Sequence, residues 1–182
     1  MKPIGLPNFE TTGLLNHLEW IKQLSKPMDR IVTFGCVGSE PFALLWILGS
    51  TQVTVVEKKA DHLIRPKEEL ELLKRQYPDT YKPGTVKFIT ADMSKPLQTL
   101  FSNFYDLAFC EAVLKYIKRD TGALQRAVNQ MARVIKPGKW ALAIEQSFES
   151  DDMDKMFCKA GLQPYLHIKL PRFAYCYQKP ES

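Results

Sequence analysis

From about residue 11 to its end this chain alternates strand-like and helix-like runs, the last two being strand-like runs a few residues apart. Strict strand–helix alternation predicts a parallel sheet with helices on both faces, because parallel neighbours need a long crossover between them. The last two runs, Gln163–Lys169 and Phe173–Gln178, are joined through Pro171. That connection is too short for a crossover, so they must form an antiparallel hairpin.

The individual signals are readable. Strands are predicted at Arg30–Phe34, Thr51–Glu57, Thr85–Thr90, Tyr105–Cys110 and Trp140–Glu145. Ser39 is placed to cap a helix over Glu40–Leu48 that Gly49 would stop. A second helix is expected from Pro66 to about Tyr77, with Glu71 and Arg75 spaced as an i,i+4 pair, and a loop over Asp79–Gly84. A short helix is expected after Ser94-Lys95-Pro96. Leu124, Ala127, Val128 and Met131 share a face of a helix that ends before the turn Lys136-Pro137-Gly138-Lys139. Ser150, followed by Asp151 and Asp152, predicts an N-cap, and Gly161 a stop. At the front, Leu14, Leu18 and Ile21 line one face of a helix that begins after Thr12 and ends near Ser25. The chain reads as a single domain over 1–182, with 1–29 a helical extension and 30–182 a ligand-binding core.

With 45% hydrophobic and 25% charged residues, the composition is that of a globular protein and excludes a disordered one. No apolar run approaches the roughly 20 residues of a membrane span. No basic segment followed by an apolar stretch opens the chain, so no secretory leader is expected. The four cysteines, Cys36, Cys110, Cys158 and Cys176, have no metal or disulfide spacing. They read as reduced thiols of a cytoplasmic protein. His17, His62 and His167 share no metal spacing and have no Asp at helical distance, so no metal site is expected. The net charge of +5 arises in Lys58–Lys87 and Lys115–Lys139, set against an acidic stretch over Glu145–Asp154. These cations interleave with apolar positions at helical spacing and read as solvated faces; a nucleic-acid partner is possible but not favoured.

The chemistry concentrates at Gly35-Cys36-Val37-Gly38, between the first strand and its helix. Glycine there lets the backbone approach a ligand with no Cβ in the way. In open α/β sheets, ligands sit at the carboxyl ends of the strands near the point where strand order reverses. Glu57, at the end of the second strand, follows about 20 residues later, a spacing that suits a carboxylate receiving a ribose diol.

In order along the chain, RIVTFGCVGSEP, VTVVEK, FITADM, FYDLAFCEAVLKYI, RVIKPGKWALAIE and KAGLQPYLHIKLPRFAYCYQKP resemble the motifs of the class I S-adenosylmethionine-dependent methyltransferases. The resemblance implies a Rossmann-like, doubly wound sheet of seven strands, five parallel ones closed by the antiparallel hairpin, preceded by an N-terminal helix. It implies that Gly35, Cys36 and Gly38 pass under the methionine moiety and that Glu57 holds the ribose. Lys58 would lie beside the adenine, Asp92 would bond its amino group and Met93 would pack on its ring. Cys110 and Glu111 would line the wall near the sulfonium. The pattern departs from the family at Thr33, where many members carry an acid, and at Val37 and Ser39, where they carry glycines.

Each residue also has a plainer reading. Glu57 could be a solvated strand end, Asp92 could cap the helix after it, and Glu111 could pair with Lys115 or Arg119. The acceptor is left open between a small molecule and a protein side chain. The fourth strand ends in CEAV and not in the Asn-Pro-Pro-Tyr type that binds a planar amide or base nitrogen. A general base, if one is needed, would come from Glu111, Tyr116 or Glu145, with Gln146 orienting, or from His17 if the first helix acts as a lid. RNA methylation and a non-catalytic, cofactor-binding scaffold are the alternatives. A nicotinamide dehydrogenase is disfavoured, because it has no use for the closing hairpin or the Lys-Pro-Gly turn.

Overall fold

In the computed structural model, the described residues are 21, 23–24, 28–36, 40–76, 85–169 and 173–181. The expected helix after Thr12 and the loop at Asp79–Gly84 lie outside them. So do Val37, Gly38, Ser39 and His17.

Strands β1 (Arg30–Phe34), β2 (Gln52–Glu57), β3 (Thr85–Thr90), β4 (Tyr105–Glu111), β5 (Ile135–Glu145), β6 (Gln163–Lys169) and β7 (Phe173–Gln178) form one sheet. Its order is β3-β2-β1-β4-β5-β7-β6. The first five are parallel, and β7 runs antiparallel to both β5 and β6, as the short final connection requires. Helices α1 (Glu40–Leu48), α2 (Ile64–Gln76), α3 (Thr121–Val134) and α4 (Ser150–Lys159) supply the crossovers and the cover.

Side chains alternate across a strand, so each central strand feeds two cores. Val32, Phe34, Val56, Ala108, Ala141, Ala143, Tyr175 and Tyr177 face α3 and α4. Ile31, Val53, Val55, Leu107, Phe109, Leu142 and Ile144 face the other way, with residues of α1 and α2 and with Ile21, Leu24 and Met28. Burial on both faces is why these strands read as continuous apolar runs. Phe157 of α4 stacks on Tyr177 of β7 with ring centroids 4.1 Å apart, which fixes α4 against the hairpin.

Four local expectations change. No helix follows Ser94-Lys95-Pro96; residues 91–104 are turns. Asp92 Oδ1 takes the Ser94 N–H (2.9 Å), and Pro96 has no N–H to give. The carbonyls a helix would use are claimed from outside: Arg126 donates to Ser94 O, and Arg133 to Leu97 O and Leu100 O, each at 2.9 Å. The Lys-Pro-Gly segment lies within β5, which begins at Ile135 and not at Trp140. The ladder with β4 jumps from Tyr105↔Ile135 to Leu107↔Trp140, leaving the segment as a bulge. Gly138 takes φ +71° there, and its N–H donates to Lys179 O at 2.8 Å. The Lys179 ammonium then donates to Asn103 Oδ1 and to the carbonyls of Ala132 and Ile135, pinning the chain after β7 to the end of α3. The N-cap position of α4 is Glu149, and Ser150 sits in the first turn with its hydroxyl toward the Tyr175 phenol. In α2, Glu71 bonds Lys74 at 2.7 Å, a spacing of three in place of the pair expected with Arg75.

Asp120 is the N-cap of α3, its Oδ1 accepting the Ala123 N–H at 2.8 Å. Replacing it by Ala should cost about 1 kcal/mol of unfolding free energy in a denaturant titration. An unchanged midpoint would show that this cap does not hold the helix.

Candidate functional site

The strand order reverses between β1 and β4, and Gly35, Cys36, Glu57, Lys58, Asp92 and Glu111 lie at that end of the sheet. Gly35 leaves β1 at φ +77°, with its N–H still donating to Val56 O of β2 at 2.8 Å. A Cβ on Gly35 would stand 2.4 Å from Cγ2 of Val113, the loop residue that follows β4. Any other residue there would meet a strained dihedral and would have to displace Val113. Thr33, where the family often has an acid, is buried and its hydroxyl donates forward to Gly35 O at 3.4 Å, supporting the turn from below.

Glu57 is 92% removed from solvent at the end of β2. Its Oε2 accepts the Cys36 N–H at 3.1 Å and its Oε1 the Lys59 N–H at 2.9 Å. His62 brings Nδ1 within 3.3 Å of the same Oε1. The solvated strand-end reading of Glu57 therefore does not describe it. His62 was invisible as a partner in the sequence, because its acid lies five residues back on a different element. His167 is likewise paired across elements, Nε2 to Asp154 Oδ1 at 3.1 Å, at a spacing no helical pattern reveals.

Asp92 lies beyond the end of β3. Its Oδ1 accepts both the Ser94 N–H and the Ser94 hydroxyl (2.7 Å), and its Oδ2 pairs with Lys58 Nζ at 3.0 Å. Partial burial works to raise its pKa, but the two Ser94 bonds and the Lys58 ammonium outweigh that and hold the carboxyl at about 2. Asp92 is thus an anion at any working pH, and it caps no helix. Met93 points inward, buried in the core shared with Val56, Leu97 and Leu114.

The β4 end is divided. Cys110 is fully buried, its Sγ 4.0 Å from Met131 Sδ, so its thiol faces α3 and not the mouth. Burial first, then the charges of Glu145 and Glu111, push that thiol well up, and it is inert as a nucleophile. Glu111 is half-buried at the strand end. Ala112 then adopts φ +54°, uncommon for a residue with a side chain, while its N–H donates to Ile144 O at 2.8 Å. Tyr116 is 79% exposed, with Lys115 Nζ 4.8 Å from its ring centroid. Gln146 is exposed after β5. Lys118 donates to Ser147 O and lies over the Phe148 ring, tying together the loops after β4 and β5.

Glu145, expected at the mouth, is completely buried beneath the β4 loop, its Oε1 accepting the Leu114 N–H at 2.7 Å. Desolvation raises its carboxyl to about 7, only partly offset by the Leu114 and Val113 amides and the Lys115 charge. It cannot touch an acceptor.

The resulting seat has a bare backbone turn, one buried carboxylate at β2, one firm anion at β3 and a half-buried acid at β4. A diol fits a carboxylate with acceptor capacity left, since an ionised carboxylate offers about four lone-pair sites. Among the described residues no helix is long and apolar enough to cross a membrane.

The protein-family model described as a methyltransferase domain matches residues 32–143, from β1 through β5. Comparison with curated proteins gives no match. Among solved structures, the chain is similar to an S-adenosylmethionine-dependent methyltransferase from Methanosarcina mazei (TM-score 0.72, 14% identity, covering 90% of this chain and 98% of that one). It is similar to another from Clostridium acetobutylicum (TM-score 0.69, 12% identity, 92% and 89%). A third is the N-methyltransferase NodS from Bradyrhizobium japonicum in complex with S-adenosylhomocysteine (TM-score 0.65, 13% identity, 91% and 85%).

Glu145 also makes a testable contribution to stability. Its carboxyl titrates at about 7 in the folded chain against 4.5 for an ordinary glutamate. Below pH 4.5 it is protonated in both states and stability does not depend on its titration. Between 4.5 and 7 the unfolded chain releases the proton and the folded one keeps it, so stability falls; above 7 the loss is constant. At about 1.4 kcal/mol per pH unit the full loss is on the order of 3 kcal/mol. The unfolding free energy of Glu145→Gln relative to wild type should therefore rise between pH 5 and pH 8. A difference that stays flat over that range would place the carboxyl at its ordinary value.

Proposed function

Since the chain belongs to the methyltransferase-domain family, whose cofactor is S-adenosylmethionine, we propose that it methylates a small-molecule or protein acceptor held by the loops after β4 and β5. The observation that carries this is the buried Glu57 carboxylate bonded to the Cys36 amide beside the bare Gly35 turn. Bound there, S-adenosylmethionine supplies an electrophilic methyl group on a sulfonium. Residues 1–182 then act as one domain, with 1–29 as an extension to the core.

In this reading the backbone of Gly35, Cys36 and Gly38 gives the floor for the methionine moiety, with the Cys36 side chain turned into the core. Glu57, already oriented by two amides and approached by His62, has one lone-pair site left for a ribose hydroxyl. Lys58 and Asp92 border the adenine as a fixed ion pair, so the adenine amino group meets an acceptor whose charge does not titrate. Met93 stiffens that border from the core side, and Cys110 contributes backbone and not its thiol. Glu111, at the β4 end, presents negative charge toward the sulfonium position. Displacement at a methyl group needs alignment above all, so fixed loops supply much of the rate. Where the acceptor must lose a proton, Glu111 and Tyr116 are the groups of that mouth able to take it. Cys36, Cys110 and Cys176 are buried and outside any disulfide, which suits a reducing compartment such as the cytoplasm.

Calorimetric titration with S-adenosylmethionine, S-adenosylhomocysteine and NAD tests the reading. Micromolar binding of the first two and not the third is expected; binding of none would favour a scaffold. Glu57→Ala should weaken S-adenosylhomocysteine binding by about 1.5 kcal/mol or more, the scale of a lost charged hydrogen bond. Unaltered affinity in a folded Glu57→Ala protein would move the ribose elsewhere.

A further inference from the structure

Glu145 is a completely buried carboxylate at the end of β5 that the proposed chemistry does not use. Its Oε1 holds the Leu114 N–H at 2.7 Å, whereas Oε2 has no hydrogen-bond partner among the described residues. Such a group is costly to bury and is worth asking a role of. The residue before Leu114 is Val113, whose Cγ2 occupies the space directly over Gly35. On the other side, Ala112 is held at φ +54° by its own bond to Ile144 O, next to Glu145 on β5. One short stretch therefore connects the β5 end, the acceptor-side loop and the glycine turn.

We propose that Glu145 is a positioning residue that latches Val113 onto Gly35, so that the loop after β4 walls the cofactor seat only while this carboxylate holds the Leu114 amide. The proposal rests on the reading that the cofactor lies along the turn beside Gly35, on the side that Val113 does not fill. As an anion the carboxylate makes a charge-assisted bond to the amide, roughly twice as strong as a neutral one. Protonation weakens that bond and adds a buried O–H that needs an acceptor. The charged and titratable groups facing it are Cys110 and Glu111 of β4, Lys115 of the loop and Tyr175 of β7. Among these only Lys115 is a cation, and it does not form an ion pair with Glu145 within 4 Å. Tyr175 is committed to Phe148 O at 2.8 Å. Among the described residues, then, what the latch holds is the backbone of residues 113–115, with the Leu114 amide at 2.7 Å.

The test is calorimetric titration with S-adenosylhomocysteine at pH 6 and pH 8, together with hydrogen exchange of the residue 112–118 amides without ligand. The proteins are wild type, Glu145→Ala, Glu145→Gln, Val113→Ala and the Glu145→Ala/Val113→Ala double variant. Wild type should bind several-fold more tightly at pH 8 than at pH 6. Glu145→Ala should lose at least tenfold at pH 8, with the Leu114 amide exchanging faster. Glu145→Gln keeps an acceptor and should recover most of that affinity with no difference between the two pH values. Val113→Ala should also lose affinity, and the double variant should be no weaker than the poorer single, because both remove the same wall. Wild type that folds and does not bind would overturn the cofactor seat and the latch together. Wild-type binding with a folded Glu145→Ala of equal affinity, or with additive losses in the double variant, would overturn the latch alone. If Glu145→Ala does not fold, Val113→Ala with unchanged affinity, or Glu145→Gln with the wild-type pH response, overturns it.

Discussion

The site depends on a carboxylate that bonds backbone. Glu57 ends a strand buried on both faces, and its two oxygens take the amides of Cys36 and Lys59. One side chain thereby fixes the exit from β1 and the exit from β2 together. Backbone amides at a chain reversal have no strand partner left and would otherwise face solvent or a ligand. Glu57 removes that freedom at Cys36, whose amide is held without any ligand. This is preorganisation in the ordinary physical sense: the ordering entropy is met during folding and not at binding.

The strands were legible because burial on both faces leaves little choice of residue, and β1, β3, β6 and β7 begin and end where pattern alone places them. Gly35 and Glu57 were legible for a related reason, since strand end, turn and acid are adjacent in sequence or nearly so. What was not legible depends on strand order. That β4 lies beside β1 brings Val113 over Gly35, and that β5 lies beside β4 brings Glu145 under Leu114. No local pattern carries either fact. His62 and Glu57 meet because a tight 3-10 turn over Ala60–Leu63 folds back on the strand end. The missing helix after Pro96 was decided by arginines of α3, more than thirty residues away.

A sheet of this kind fixes where a ligand can sit and leaves open what is done to it. The loops after β4 and β5 are joined by Lys118 to Ser147, and the end of β5 holds the β4 loop through Glu145 to Leu114. One link runs from loop to loop and the other from scaffold to loop. Change of acceptor in a relative of this chain would be expected to alter the loops in concert.

The Lys179 clamp bears on the order in which the molecule can assemble. Its ammonium holds Asn103 and the last carbonyls of α3, and its backbone zips the Lys-Pro-Gly bulge of β5. The middle of the sheet is thus closed by residues that leave the ribosome long after the strands they complete. Until they arrive, one side of β5 is an open hydrogen-bonding edge made of Trp140, Ala141, Leu142, Ala143 and Ile144. A nascent chain of this protein therefore carries an adhesive strand from the completion of β5 at Glu145 until β7 is made at Phe173–Gln178, and association through that edge competes with folding in the interval.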